Sequence, residues 1–369
     1  MATKIFLSPS KYVQGAGELS HLGSYAQQFG KKALVLISPG GQKRFGATIQ
    51  ESFAASSCDM IAEPFQGECC MSEIHRLIDQ MKQLGCDIVI GVGGGKIFDT
   101  AKAIAYFTAF PVCICPTVAS TDAPCSAISV LYTDDGVFDK YLYLPSNPQL
   151  VLMDTEVLCN SPVRQTIAGM GDALSTYYEA RACQRSGALN SAGGLTTEAA
   201  LALAKLCRDT LLCEGFAAKL ALEHKVCTPA VEKILEANTL LSGLGFESVG
   251  LAAAHAVNDA LSLLEECRSA PHGNKVAFGT IVQLVLEGAP KEELTEVISF
   301  CRSVGLPITM QQLGVEELTD EKVMTVAQAA CAEKEPMKNM PFAVTPAMVA
   351  AAIQAADAYG RYASEQNEV

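Results

Sequence analysis

The sequence predicts an α/β domain followed by an all-helical domain, on three observations. Short β-rich runs alternate with helical patterns through about the first 150 residues. After Asn160-Ser161-Pro162 the texture turns to Ala, Leu and Glu, and strand-like alternation stops. Within the first half, an apolar run, Asp87-Ile88-Val89-Ile90-Gly91-Val92, ends in Gly93-Gly94-Gly95-Lys96 and leads into a helix-like run from Asp99 to Tyr106.

Taken in order, the strands are expected at Ala33 to Ile37, Ile88 to Val92, Val112 to Cys115 and Leu150 to Met153. Helices are expected near 46–57, 72–84 and 100–108. Strands separated by helices pair in parallel through right-handed crossovers, so the sheet is covered on both faces. Residues 127–144 interrupt this rhythm, and Thr133-Asp134-Asp135-Gly136 reads as a hairpin turn. Beyond Ser161-Pro162, helical runs are expected at 172–186, 196–214, 217–227, 231–242, 251–264, 275–286, 291–304, 320–331 and 346–364. The domains are therefore 1–161 and 162–369.

The bulk numbers bound the class. A chain of 369 residues forms about two domains. It is 49% hydrophobic and 18% charged, which supplies a sizeable core and argues against long disordered tracts. The net charge of −13 argues against nucleic acid and anionic membrane as partners. No apolar run approaches the roughly 20 residues needed to cross a bilayer. Fifteen cysteines occur with no C-x-x-C pair and no apolar leader, so they read as reduced, small apolar residues in a cytoplasmic protein. Cys69-Cys70 lies in a polar stretch and reads as a candidate reactive pair.

Three segments could carry chemistry. The glycine turn suits an anion site, because glycines let backbone N–H groups approach a phosphate and the helix dipole adds attraction. It is neither G-x-G-x-x-G nor a Walker loop. Pro116-Thr117-Val118-Ala119-Ser120-Thr121-Asp122 follows a strand and should lie at the carboxyl edge of the sheet, where hydroxyls suit ribose and phosphate and Asp122 could position a substrate hydroxyl. Finally, His255 on an Ala-rich helix and His272 in a loop before the next helix could converge on a metal, with Asp172 as a third ligand. By pattern alone each has a plainer reading: Asp172 as a helix-N-terminal residue, His255 as a core histidine, His272 as a solvent-facing loop residue, and the Ser/Thr segment as an ordinary loop.

Together these segments are more specific than any one of them. With Ser8-Pro-Ser-Lys-Tyr-Val-Gln-Gly15, Gly91-Val-Gly-Gly-Gly-Lys-Ile-Phe-Asp-Thr-Ala-Lys102, Pro116 to Ser126, Gly169-Met-Gly-Asp-Ala-Leu-Ser175, Gly245 to Val257 and His272 to Thr280, the chain resembles the iron-containing or polyol dehydrogenase superfamily, in its zinc-dependent glycerol dehydrogenase branch. The resemblance implies a Rossmann-like first domain and a helical second domain of dehydroquinate synthase-like fold, with the active site in the cleft between them. It implies Zn²⁺ on Asp172, His255 and His272. It implies NAD on Gly94, Gly95, Lys96, Asp99, Thr117, Ser120, Ser126, Ile128 and Tyr132, and glycerol against Asp122 and the neighbourhood of His255. Members oligomerise, often as octamers. Iron-dependent relatives place a fourth ligand, a histidine, one helical turn after the aspartate. Thr176 stands there in this chain, which favours zinc with a coordination position left open.

The activity implied is reversible oxidation of glycerol to dihydroxyacetone with NAD. A vicinal diol offers a metal two oxygens, a reason to prefer 1,2-diols over simple alcohols. Alternatives on the same scaffold are a dehydroquinate synthase-like enzyme, whose anionic substrate needs several cations where this helical half has few, a glycerol-1-phosphate dehydrogenase, which meets the same objection but is kept open by Lys275 and Arg164, and a non-catalytic NAD- or metal-binding protein. Two departures from the family pattern stand out. Ser38, before Pro39-Gly40-Gly41, replaces an acidic residue that grips the adenosine ribose, which loosens the preference for NAD over NADP. Near the C-terminus, Lys338 and Phe342 alter a His-Asn-Met-Pro-Gly-Gly-like segment.

Overall fold

A computed structural model describes residues 3–366. They form two compact units: Leu7–Pro162, and residues 163–366 together with 3–6. The N-terminal residues 3–6, expected in the α/β domain, thus belong to the helical unit. Lys4 bridges in parallel to Leu195, Ile5 N–H donates to the Leu195 carbonyl at 3.3 Å, and Asn190 Nδ2 donates to the Ile5 carbonyl at 2.8 Å.

The α/β unit is a six-stranded parallel sheet. Its strands are β1 (Tyr12–Gly15), β2 (Lys32–Ile37), β3 (Asp59–Pro64), β4 (Ile88–Gly93), β5 (Val112–Pro116) and β8 (Leu150–Asp154), in the order β1-β8-β5-β4-β2-β3. β6 (Ile128–Tyr132) and β7 (Phe138–Tyr143) form the expected antiparallel hairpin, closed where Gly136 N–H donates to the Thr133 carbonyl at 2.9 Å. Side chains alternate across the sheet. Leu34, Leu36, Val89 and Ile114 pack on one face, while Ala33, Val35, Ile37, Ile90, Val92, Cys113 and Cys115 pack on the other. Both faces are buried, so the central strands read as continuous apolar runs. The edge strands β1 and β3, with partly exposed burial patterns, gave no such run and went unread. Strand order reverses between β2 and β4, the place where open α/β sheets bind ligands at their carboxyl ends.

The helical unit contains the helices Val163–Ser186, Glu198–Glu223, Pro229–Glu236, Ser242–Val249, Ala253–Leu261, His272–Glu287, Lys291–Val304, Asp320–Ala330 and Pro346–Glu365. A π-helical turn, Ala237–Leu241, joins the third to the fourth. The runs expected separately at 196–214 and 217–227 are one helix. Gly215 between them is no breaker: a Cβ there would lie 2.7 Å from the Phe300 ring, so the glycine makes room for a neighbouring helix. No single described helix is long and apolar enough to cross a membrane.

None of the fifteen cysteines is in a disulfide, and all but Cys213, Cys227 and Cys331 are buried. Cys69 and Cys70 are not an exposed reactive pair. Both are buried, and burial pushes the Cys69 thiol up to about 12.

Candidate metal and dinucleotide sites

Asp172 lies in the interior of the helix Val163–Ser186, not at a helix N-terminus. The helix runs through Gly169-Met170-Gly171, ahead of the start expected at 172, and its glycines allow contact with a second helix. A Cβ on Gly171 would sit 2.3 Å from the Gly273 carbonyl oxygen, and a Cβ on Gly273 would sit 1.7 Å from the Ala168 carbonyl oxygen. The two backbones therefore touch beside Asp172 and beside His272. His272 is the first residue of the helix His272–Glu287 rather than a loop residue. This contact brings His272 Nε2 to 3.3 Å from Asp172 Oδ1.

His255 reaches the same oxygen, with Nε2 at 3.5 Å. It belongs to the helix Ala253–Leu261, whose N-cap, Ala252, has no side-chain acceptor. Other helices supply the acceptors. Gln283, on the helix that carries His272, accepts from Ala254 N–H at 3.0 Å and donates to Glu287 at 2.9 Å. Arg181 in turn holds Glu287 at 2.9 Å and Glu293 at 2.7 Å. Glu179, on the helix that carries Asp172, accepts from Ala252 N–H at 2.8 Å and His255 N–H at 2.9 Å, and meets His255 Nδ1 at 2.6 Å. Glu179 was missed in the sequence. The available signal was its spacing, since i and i+7 put it on the Asp172 face of the helix.

The ligand atoms of Asp172, His255 and His272 all lie within 4.8 Å of one another. Asp172 Oδ1 is buried and accepts no hydrogen bond, an arrangement that costs free energy unless a cation meets it. Burial by itself would raise the Asp172 carboxyl. The His272 and His255 imidazoles override it and hold the group well below the usual carboxylate range. Burial would lower His255, but Glu179 and Asp172 carry it well above the usual imidazole value. Both shifts have one cause, two buried carboxylates that draw positive charge into the space between the rings. One carboxylate and two imidazole nitrogens form a donor set suited to a divalent cation, with His272 the exposed side at 43%.

In the α/β unit, Gly94 and Gly95 present bare backbone. A Cβ on Gly95 would meet nothing within 4 Å, and one on Gly94 only Val118 at 3.8 Å. The helix Gly95–Thr108 begins there with no side-chain cap, so its first N–H groups remain available to an anion. Thr117 N–H and Oγ1 donate to the Gly93 carbonyl at 2.9 and 3.2 Å, binding the loop after β5 to the glycine turn. Such a cradle fits a dinucleotide pyrophosphate. Ser120, Asp122, Ile128 and Tyr132 are partly exposed in the same unit, whereas Asp99 and Ser126 are buried. Both of these side chains meet the buried Lys102 ammonium: Asp99 pairs with it at 3.1 Å, and it reaches the Ala123 carbonyl at 3.0 Å, Ser126 Oγ at 3.4 Å and the Ile128 carbonyl. Lys96 is exposed and ion-paired with Glu68.

Comparison with known proteins gives the chain a family. Residues 9–155 match the iron-containing alcohol dehydrogenase family. The glycerol dehydrogenase of Citrobacter freundii is 50% identical over 358 residues, 97% of this chain and 98% of that one. The glycolaldehyde reductase of Halobacterium salinarum is 43% identical over 359 residues, 97% of this chain and 98% of that one. The crystal structure of glycerol dehydrogenase from Schizosaccharomyces pombe aligns with a TM-score of 0.95 at 40% identity, covering 100% of this chain and 94% of that one. The chain belongs to the glycerol dehydrogenase family.

The two departures from that family's pattern can now be placed. Ser38 follows β2 directly and caps the helix Pro39–Ala54 by accepting from Gly41 N–H at 3.1 Å. Because Ile37 pairs with Val92, Ser38 lies one step beyond that pair, alongside Gly93. Lys338 donates to the Glu333 carbonyl at 3.1 Å, while its neighbour Asn339 donates to the Leu251 carbonyl at 2.8 Å and ties that turn to the segment ahead of His255.

Proposed function

We propose that this chain oxidises glycerol to dihydroxyacetone, reversibly and with NAD as hydride acceptor, using zinc held by Asp172, His255 and His272. One observation carries the reading: a buried, unbonded carboxylate oxygen with two imidazole nitrogens beside it, in a chain about half identical to a glycerol dehydrogenase over nearly its full length. A bound divalent cation supplies Lewis acidity, which makes a substrate hydroxyl easier to deprotonate near neutral pH. The nicotinamide supplies the hydride acceptor.

The chain's own residues bind and orient. Asp172 and the two imidazoles hold the cation, and the exposed side at His272 leaves room for a small polyol. Gly94 and Gly95 take the pyrophosphate, with Thr117 fixing the loop beside them. Lys102, paired with Asp99, holds the 123–128 segment in place through the Ala123 and Ile128 carbonyls and Ser126, so that Ser120, Ile128 and Tyr132 line the dinucleotide and Asp122 meets a substrate hydroxyl. Zinc rather than iron is favoured because Thr176, at the place of a fourth ligand, spends its hydroxyl on Ser242 at 2.9 Å. A cytoplasmic homo-oligomer completes the proposal.

The test is NADH formation from glycerol before and after chelation, with metal content measured on the same sample. A protein that contains zinc but forms no NADH from any polyol refutes the proposal. A second reading comes from the likeness to a glycolaldehyde reductase: reduction of a small hydroxyaldehyde at the same site. Comparing glycolaldehyde with dihydroxyacetone, each with NADH, ranks the two.

A further inference from the structure

Glu179 is wholly buried, and the metal-site reading leaves it without a role. Its Oε1 accepts from Ala252 N–H and His255 N–H at 2.8 and 2.9 Å, and its Oε2 lies 2.6 Å from His255 Nδ1. All three neighbours are nitrogens, and none of the bonds needs a proton on the carboxyl group. An ionised carboxylate only accepts, so the shared proton with the ring belongs on Nδ1. That leaves Nε2, the nitrogen 3.5 Å from Asp172 Oδ1, as the one that gives up its proton when a cation takes its lone pair.

We propose that Glu179 is a positioning residue for the divalent cation. It selects the His255 tautomer that can bind metal through Nε2, and it fixes the ring by holding the N-terminus of the ring's own helix. The proposal rests on the metal site described above. It also explains a charge balance. The carboxylates of Asp172 and Glu179 bring two negative charges to a buried site, and a divalent cation brings their total to zero. Glu179 lies two helical turns beyond Asp172 on one helix, so that helix provides both carboxylates and sets their separation.

The informative variant is Glu179→Gln, which keeps the size and the two backbone bonds. If its oxygen stays on Ala252 and His255 N–H, its NH₂ faces Nδ1 and needs an acceptor there. The imidazole proton then moves to Nε2, and the ligand lone pair is lost. Wild-type and Glu179→Gln proteins are stripped of metal, and Zn²⁺ affinity is measured by competition with a chromophoric chelator; the Co²⁺ visible spectrum reports the geometry. Glu179→Gln is expected to bind Zn²⁺ about 10- to 100-fold more weakly and to shift the Co²⁺ spectrum, while the metal-free protein stays folded with its melting temperature lowered only by the lost His255 ion pair. A purely structural role for Glu179 would lower that melting temperature and leave Zn²⁺ affinity alone, which overturns the proposal. So does Zn²⁺ binding by Glu179→Gln within about twofold of wild type, a free-energy difference under roughly 0.4 kcal/mol. Should wild type itself fail to bind Zn²⁺ or Co²⁺, the metal site is wrong and the proposal falls with it, an outcome distinct from equal binding by both proteins.

Discussion

Replacing Gly273 with alanine should abolish the proposed metal site while most of the fold survives. The added Cβ would lie 1.7 Å from the Ala168 carbonyl oxygen and 3.0 Å from Asp172 N. Restoring even a tight 3.0 Å contact with that oxygen requires the backbones to separate by about 1.3 Å. Metal ligands tolerate displacements of roughly 0.2 Å. Relief is available in two ways, and both remove a ligand: the two helices move apart and His272 goes with its helix, or the first turn of His272–Glu287 unwinds and releases His272. Overpacking of this size costs about 1–3 kcal/mol, against a total stability of roughly 5–15 kcal/mol, so a folded protein is expected. Zn²⁺ affinity should fall by more than about 100-fold, since a displaced ligand costs at least as much as a lost outer partner. The assay is competition with a chelator on stripped protein, with far-UV circular dichroism to establish that the variant is folded. A folded Gly273→Ala protein that holds one equivalent of zinc at wild-type affinity would refute the reasoning.

Three further outcomes follow from the geometry. Lys102→Met leaves Asp99 as an uncompensated buried charge and frees the 123–128 segment, so urea unfolding should show a loss of about 3–5 kcal/mol, part of it recovered in Lys102→Met/Asp99→Asn; a loss below about 1 kcal/mol contradicts the anchoring role. Ser38→Asp puts a carboxylate alongside Gly93 at the end of β2, and should raise the dissociation constant of NADPH relative to NADH, measured by protein-to-nicotinamide fluorescence; an unchanged ratio would mean the ribose does not lie there. For pH, the native-state pKa of His255 is raised above its unfolded value, so its contribution to the metal-free protein is complete below about pH 6.5 and is lost as pH rises through the raised value. The melting temperature of stripped protein should therefore decline above neutrality, and Zn²⁺ binding should release protons and tighten over the same range. A stripped protein whose melting temperature rises with pH there opposes the assignment.

The α/β unit was legible because burial on both faces turns a strand into an unbroken apolar run, as in Ala33 to Ile37 and Ile88 to Val92. Where burial was partial, in Tyr12–Gly15 and Asp59–Pro64, composition carried no comparable signal. The cluster proposed to hold metal was legible through family resemblance and not through spacing, since three separate helices supply it and only tertiary packing brings it together. Glu179 and Gln283 were harder still. Each is one polar residue among many on a helix, and each matters because its partner is a backbone N–H on a different helix.

Glycine shows most clearly why the remainder was hidden. The same residue type does three unlike things in this chain. At Gly94 and Gly95 it leaves backbone bare beside open space. At Gly215 it admits the edge of the Phe300 ring into a continuous helix. At Gly171 and Gly273 it lets two helices meet backbone to backbone, and the residues immediately following and preceding those contacts are Asp172 and His272. A local reading assigns all of them to turns, since glycine's most frequent cause is conformational. What separates the causes is the atom a Cβ would strike, and for Gly273 that atom is the carbonyl of Ala168, on a different helix. The glycines beside the proposed metal ligands therefore act through contact distance rather than flexibility, so alanine is predicted to fail at Gly273 on steric grounds alone.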